Sequence, residues 1–315
     1  MQTAKDFTEF YNSELKGLIV QHEKERKNVA AFGILGTLSI ILAFICFFFG
    51  ASNNTQNIVI IAFLLFVAGV IFLILFYNKR KKYVSWFKED IIHNIIKFID
   101  PNLRYNPGGC IYSKDYRNSG LYLEETDRYR GDDYVEGLRD KTVFCFSELH
   151  TEKEINNGKS TSWQTIFKGL FFIGDFNKNF NGRTYVYSEN NPQLGFFSKM
   201  FSSFAWDLKR VKLESLEFEN KFVVYSDDQV EARYILTPSF MERLVKLQDL
   251  MGDNTSYSFV NTNVYVAVPI DEDLFEPSIF AVNDWNKMDR YYTTVNIVFD
   301  IIDELNLNLR IWNKE

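Results

Sequence analysis

Two acidic clusters, one cysteine–histidine pair and one glycine-bracketed stretch are the places where this sequence could do chemistry. Asp227-Asp228 with Glu231 offers hard oxygen ligands for a cation. The pair follows the apolar run FVVYS and no further ligand stands at a recognisable spacing, so a turn is the simpler expectation. Asp132, Asp133 and Glu136 form a second cluster, expected to be a solvated loop. Cys145 and His150 lie five apart with Glu148 between them. On a strand an odd separation sends two side chains to opposite faces, which argues against a local nucleophile–base pair. Gly169 and Gly174 bracket GLFFIG. Their spacing fits neither a phosphate loop nor a dinucleotide fingerprint, and the glycines read as a bulge or a close strand approach. Lys168, Lys178 and Arg183 could form a small basic patch, but charges on a solvated edge are the simpler reading. No catalytic, cofactor-binding or metal-ligating residue is assigned, and no cofactor is expected.

The elements that would position these residues begin with a long uncharged window. From Val29 to Asn78 there is no charged residue. Two apolar runs fill it, residues 29–49 and 58–77, separated by the polar loop 50–57. Each run is about 20 residues, enough at about 1.5 Å per residue to cross a hydrocarbon core of about 30 Å. Lys24, Arg26 and Lys27 precede the first run; Lys79, Arg80, Lys81 and Lys82 follow the second; the loop has no Lys or Arg. The positive-inside rule therefore predicts both termini in the cytoplasm. The cluster Lys79–Lys82 is expected to anchor the second span, and could also attract anionic headgroups. The spans hold no ionisable residue, which argues against a proton or ion pathway. Thr37 and Ser39 are the polar candidates for lining a pore in an oligomer. Ala30, Gly33, Gly36 and Thr37 are candidates for close helix packing.

Residues 1–28 predict an amphipathic cytoplasmic helix, with Phe7, Phe10, Tyr11, Leu15, Leu18 and Ile19 in one stripe. Residues 78–100 predict a basic juxtamembrane segment and a second amphipathic helix. Its stripe is Trp86, Phe87, Ile91, Ile95 and Phe98, and Pro101 ends it. The two stripes are expected to bury each other, or a face of the domain that follows, as a stalk.

Residues 101–315 predict a cytoplasmic α+β domain on a mainly antiparallel sheet with packed helices. Strand candidates are residues 142–149, 161–173, 184–188, 212–218, 222–226 and 258–269, with a turn at Asn181-Gly182. Helices are expected at 238–251, capped by Thr237, and at 284–305, with a possible last strand at 307–312.

The chain of 315 residues carries a net charge of −6. Residues 1–29 balance five bases against five acids and residues 79–82 add four bases, so residues 83–315 stand at −10. That acidity makes a nucleic-acid partner unexpected. Cys46, Cys110 and Cys145 show no paired-cysteine spacing, so free thiols are expected. The lipid bilayer is an expected partner, with a protein partner or homo-oligomer next and a small ligand possible.

The layout of HEKERKN, two spans and an acidic domain resembles a bacterial two-transmembrane membrane-protein family of unknown function. The resemblance is carried by FSELHTE at 146–152, FKGLFFIGDFNKNFNGRTYVY at 167–187 and VYSDDQVEARYILTPSFMERL at 224–244, with DLFEP at 273–277 and DELNLNLRIW at 303–312. It implies a bacterial inner-membrane protein and brings no activity and no site residues. The functional expectation is a membrane-anchored scaffold, sensor or binding module. The alternative is a membrane-tethered enzyme, of which a hydrolase is one form, whose site is assembled from residues distant in sequence.

Overall fold

The computed structural model describes residues 3–156, 158, 160–176, 179–191, 194 and 208–305. The chain divides into two compact units, Met1–Phe98 with Phe275–Tyr291, and Ile99–Leu274 with Tyr292–Glu315.

The first unit is built on two helices long and apolar enough to cross a membrane, α1 (Ala4–Ser52) and α2 (Gln56–Ile99). Thr3 caps α1: its hydroxyl accepts from the Asp6 amide at 3.2 Å, and the Asp6 carboxylate accepts from the Thr3 amide at 2.7 Å. Both helices run past their apolar runs, leaving a turn of only Asn53–Thr55. Small residues face inward along the pair: Gly33, Gly36, Ala43 and Gly50 on α1, Ala62 and Gly69 on α2. A Cβ on Gly36 would stand 2.8 Å from Leu73 Cδ2, and one on Gly69 would stand 2.6 Å from Ile40 Cγ1. Large side chains such as Leu38, Phe48, Ile60 and Phe63 point outward and are exposed. Small inside and large outside inverts the pattern of a water-soluble bundle and fits helices packed in lipid. Ala30, Gly33 and Gly36 are buried as expected, but Thr37 is exposed. Its hydroxyl donates to the carbonyls of Gly33 and Ile34 on its own helix, which removes any need for a partner on α2.

The two amphipathic stripes do pack together. Phe7, Leu15, Phe87, Ile91 and Ile95 are fully buried. Phe10 stacks on Phe98 at 4.3 Å and His22 stacks on Trp86 at 3.7 Å. Each helix passes through one π-turn here, Tyr11–Leu15 and Phe87–Ile92. A third element joins them: Trp285 lies 5.4 Å from Phe7, and Tyr291 packs edge-on against Phe87.

Among the described residues, the second unit is α+β, on a nine-stranded antiparallel sheet. Its strands are β1 (Arg104–Asn106), β2 (Arg128–Arg139), β3 (Thr142–Asn156), β4 (Thr161–Asp175), β5 (Thr184–Ser188), β6 (Lys209–Val211), β7 (Phe222–Ser226), β8 (Ser256–Val260) and β9 (Asn263–Pro269). They lie in the order β1-β2-β3-β4-β9-β8-β5-β7-β6. Helices are α3 (Ser113–Asn118), α4 (Leu216–Glu219), α5 (Gln229–Ile235), α6 (Pro238–Met251) and α7 (Trp285–Glu304), the last of which contributes Tyr292–Glu304 to this unit. On one face Tyr116 of α3 and Tyr122 pack with Phe167, Phe171, Tyr185 and Tyr187. Elsewhere α6 sets Phe240 5.8 Å from Phe259, and α7 sets Phe299 edge-on to Phe144 at 6.0 Å.

Three expectations are corrected. Residues 212–218 are not a strand: β6 ends at Val211, and Ser215 caps the short helix α4 through the Phe218 amide at 3.3 Å. A serine that bonds the backbone locally competes with a sheet ladder. Conversely, the acidic cluster Asp132, Asp133 and Glu136, expected in a solvated loop, lies on strand β2. Its ladder is interrupted between Asp132 and Val135 by a bulge that accommodates the Gly-Asp-Asp sequence. The 258–269 stretch is two strands turning at Asn261, whose φ is +58°. Residues 307–312 lie outside the described residues.

Candidate functional site

Period-two alternation places Tyr134, Glu136 and Leu138 of β2 on one face of the sheet. Registers Glu136↔Cys145, Leu138↔Val143, Cys145↔Ile173 and Asp175↔Asn263 carry that face across β3, β4 and β9. Tyr134, Cys145 and Ile173 border the aromatic core beneath α3. Beyond that border the face is open. It forms a hollow of about 570 Å³, with Asn102 and Arg104 also lining it. Leu138 is 54 % and Val143 62 % exposed, an apolar pair at the end of the β2–β3 hairpin. Polar groups stand beside them: Arg104 pairs with Glu136 at 2.9 Å, and the Tyr134 hydroxyl donates to Glu136 at 3.1 Å. Burial pushes the Cys145 thiol up to about 11, partly offset by its hydrogen bond with Tyr134. Burial likewise raises the Tyr134 phenol. At neutral pH the thiol is protonated and a poor nucleophile. The hollow offers apolar area and several polar contacts to a bound group.

A second cluster gathers on the same two strands. Asp132 lies opposite Glu148 in register, and the β2 bulge turns Asp133 in at φ +56°. One oxygen from each of Asp132, Asp133 and Glu148 lies within 4.8 Å of the others. Asp133 is fully buried and accepts from the Tyr105 hydroxyl at 2.5 Å. Glu148 is 6 % exposed and accepts from the Leu274 amide at 2.7 Å. Burial pushes the Glu148 carboxyl up to about 7, and the nearby Asp132, Asp273 and Asp133 charges add to the rise. Three carboxylates can share a proton near neutrality or offer oxygen ligands to a hard divalent cation. The expected solvated loop is thus corrected. Its partner acid is Glu148 from the next strand, while Glu136 belongs to the open hollow. Composition could not reveal this, because the strand pairing that unites them is a long-range contact.

The remaining candidates take structural roles. Asp227 accepts from Arg183 Nε at 2.8 Å, Asp228 caps α5, and Glu231 accepts from the backbone of Asn181 and Gly182 at 3.2 and 2.8 Å. That is the turn reading, with the acids tying the 181–183 bend to α5. Cys145 and His150 fall on opposite faces of β3, as the spacing implies. Gly169 has φ +145°, and a Cβ there would lie 2.2 Å from the Val268 carbonyl oxygen, so the strands meet closely at this point. Lys168 bridges Asp273 at 2.8 Å and the Asp271 carbonyl at 2.6 Å. Arg183 faces Asp227, and Lys178 lies outside the described residues. Among the four basic residues after the second span, Lys79 sits 5.5 Å above the Phe32 ring and Arg80 is 3.5 Å from Glu276. Lys81 and Lys82 are exposed.

Residues 165–307, from β4 through α7, match a family model described as a protein of unknown function, DUF3137. No curated protein matches. Among solved structures, the chain is similar to the crystal structure of the mycobacterial trehalose monomycolate transport factor A. The identity is 10%, the TM-score 0.35, and the alignment covers 72% of this chain and 94% of that one.

Proposed function

We propose that this protein is a membrane-anchored binding module. In this reading residues 29–49 and 58–77 span a bacterial inner membrane with both termini in the cytoplasm, and residues 101–315, apart from the Phe275–Tyr291 segment that belongs to the first unit, form the cytoplasmic binding domain. It is a two-span protein of the bacterial family that its sequence blocks resemble. The observation that carries the binding role is the open sheet-face hollow between Leu138, Val143, Cys145 and Ile173. It combines exposed apolar side chains with the Arg104–Glu136 pair, beside a thiol that is protonated at neutral pH. A protein segment or a small amphipathic ligand suits that lining. The enzyme alternative would rest on Asp132, Asp133 and Glu148. Two of those carboxylates are buried and already accept hydrogen bonds from Tyr105 and Leu274, which favours the binding reading.

The test compares detergent-solubilised full-length protein with Val143→Arg and Leu138→Arg. Species that co-purify, both proteins and small molecules, are identified by mass spectrometry. At least one species bound at near-stoichiometric level to wild type is expected to be lost from both variants at unchanged melting temperature. Identical sets from all three proteins would overturn the assignment of the hollow.

A further inference from the structure

We infer that the loop Ser278–Asn283 is a third membrane-contact element, which lays Phe280 and Val282 into the interface of the same leaflet that the stalk emerges from. This rests on the two apolar helices spanning a bilayer, as proposed above.

The loop has an amphiphilic sequence. Residues 277–283 read PSIFAVN, uncharged between Glu276 and Asp284. Phe280 is 66 % and Val282 58 % exposed, with Ala281 between them also exposed. An exposed Phe-Ala-Val tip is costly in water, and here it is held in place rather than left to fold away. Asn283 closes the loop: its side chain accepts from the Ser278 amide at 2.7 Å and donates to the Ser278 carbonyl at 3.0 Å. The same side chain donates to the Tyr83 hydroxyl of α2 at 3.2 Å. On the α1 side the Arg26 guanidinium, held by Glu23 at 2.7 Å, donates to the Ile279 carbonyl at 2.6 Å. Ile279 packs inward with Val29, Ala30 and Tyr83. Below the loop, Lys88 pairs with Glu276 at 3.3 Å. The framework is polar and tied to both helices, and what it presents outward is apolar.

Position identifies the occupant. The Phe280 ring stacks on Phe76 at 6.1 Å, and its Cζ would lie 3.3 Å from a Cβ on Gly33. Gly33 is four residues inside the first apolar run, and Phe76 is three residues before Lys79. At about 1.5 Å per residue the ring therefore sits about 5 Å to the membrane side of the flanking charges. Interfacial apolar side chains reach about 5–10 Å below the headgroups, so the depth is that of a lipid-contacting wedge. The exposed apolar surface of the spans continues onto Phe280, and exposed Lys27, Lys79, Lys81 and Lys82 lie just beyond it on the side where anionic headgroups would lie. Arg26, which counts toward topology in the sequence, thus also holds this loop.

The experiment uses the full-length chain with Cys46, Cys110 and Cys145 replaced by Ser. A bimane label is placed in turn at Phe280→Cys, Val282→Cys, Ile41→Cys within a span, and Tyr112→Cys on the second unit. Each protein is reconstituted in phosphatidylethanolamine–phosphatidylglycerol vesicles containing lipids with a nitroxide near the headgroup or near the chain end. Labels at 280 and 282 are expected to be quenched several-fold more by the shallow nitroxide than the 112 label is. The 41 label is expected to be quenched by the deep one. A quenched 41 label with unquenched 280 and 282 labels overturns the inference and leaves the spans in place. An unquenched 41 label overturns the membrane reading and the inference with it. Short label-to-label distances between copies at 282, without lipid quenching, would assign the patch to a second copy and refute a lipid partner. As a second arm, an Ala281→Cys label is expected to lose its shallow quenching in a Phe280→Asp, Val282→Asp background while the 41 label keeps its own. Retained quenching there would also refute the wedge.

Discussion

Glu148→Gln should stabilise this protein above neutral pH. The folded carboxyl is pushed from an ordinary value of 4.5 up to about 7, first by burial and then by the neighbouring acids. The folded state therefore binds this proton more tightly than the unfolded chain does. Below about pH 4.5 the group is protonated in both states and contributes nothing to the pH dependence. Between about pH 4.5 and 7 the unfolded chain gives up the proton first, so stability falls as pH rises. Above about pH 7 the full penalty is present. The rise from 4.5 to about 7 corresponds to about 3 kcal/mol, which for a unit of about 200 residues is roughly 6–12 °C in melting temperature. Gln keeps an oxygen to accept from the Leu274 amide and has no charge to bury. The assay is the pH profile of thermal unfolding of the detergent-solubilised chain, read by near-UV circular dichroism. Wild type should lose stability from about pH 5 to 8, and the variant should show a flatter profile that lies above wild type at pH 8. A variant parallel to wild type, or below it at pH 8, would refute the assignment of the penalty to Glu148. A divalent cation held by the three carboxylates would give that second outcome, because it would stabilise the ionised form.

Two further outcomes follow from the first unit. Ile95→Asp places a carboxylate in a fully buried position and should cost about 3 kcal/mol or more, seen as a lower melting temperature, while Phe10→Asp, at a half-buried ring stacked on Phe98, should cost less. If both keep the wild-type melting temperature and only an isolated N-terminal segment loses liposome binding, the stripes face lipid and the stalk packing is wrong. In a cysteine-light background, a membrane-impermeant thiol reagent applied to intact cells should reach Asn54→Cys and not Tyr112→Cys; the reverse pattern would refute cytoplasmic termini.

The parts of this protein that its sequence determines by itself are those set by neighbours within a few turns. Charge-free runs of membrane length, basic flanks and the inward small residues Gly33 and Gly36 are local facts, and the helical hairpin follows from them. The same holds for α6, where Thr237 and Pro238 sit at the cap. The antiparallel α+β class was also legible, from alternation and turn residues. What only the tertiary structure decided lies where distant segments meet. The acidic cluster Asp132, Asp133 and Glu136 reads as a solvated loop, yet pairing of residues 128–139 with β3 on one side and β1 on the other outweighs the weak strand preference of Gly131, Asp132 and Asp133 and absorbs the misfit in a bulge. The same pairing joins Asp132 to Glu148 and raises a carboxyl that looks ordinary in the sequence. The open hollow draws on five strands, β1, β2, β3, β4 and β9, and only their pairing decides which face stays uncovered. The grip of Arg26 on Ile279 joins residues 253 positions apart. Hydropathy and period are properties of a segment, whereas burial, pKa and exposure depend on what the rest of the chain brings against it.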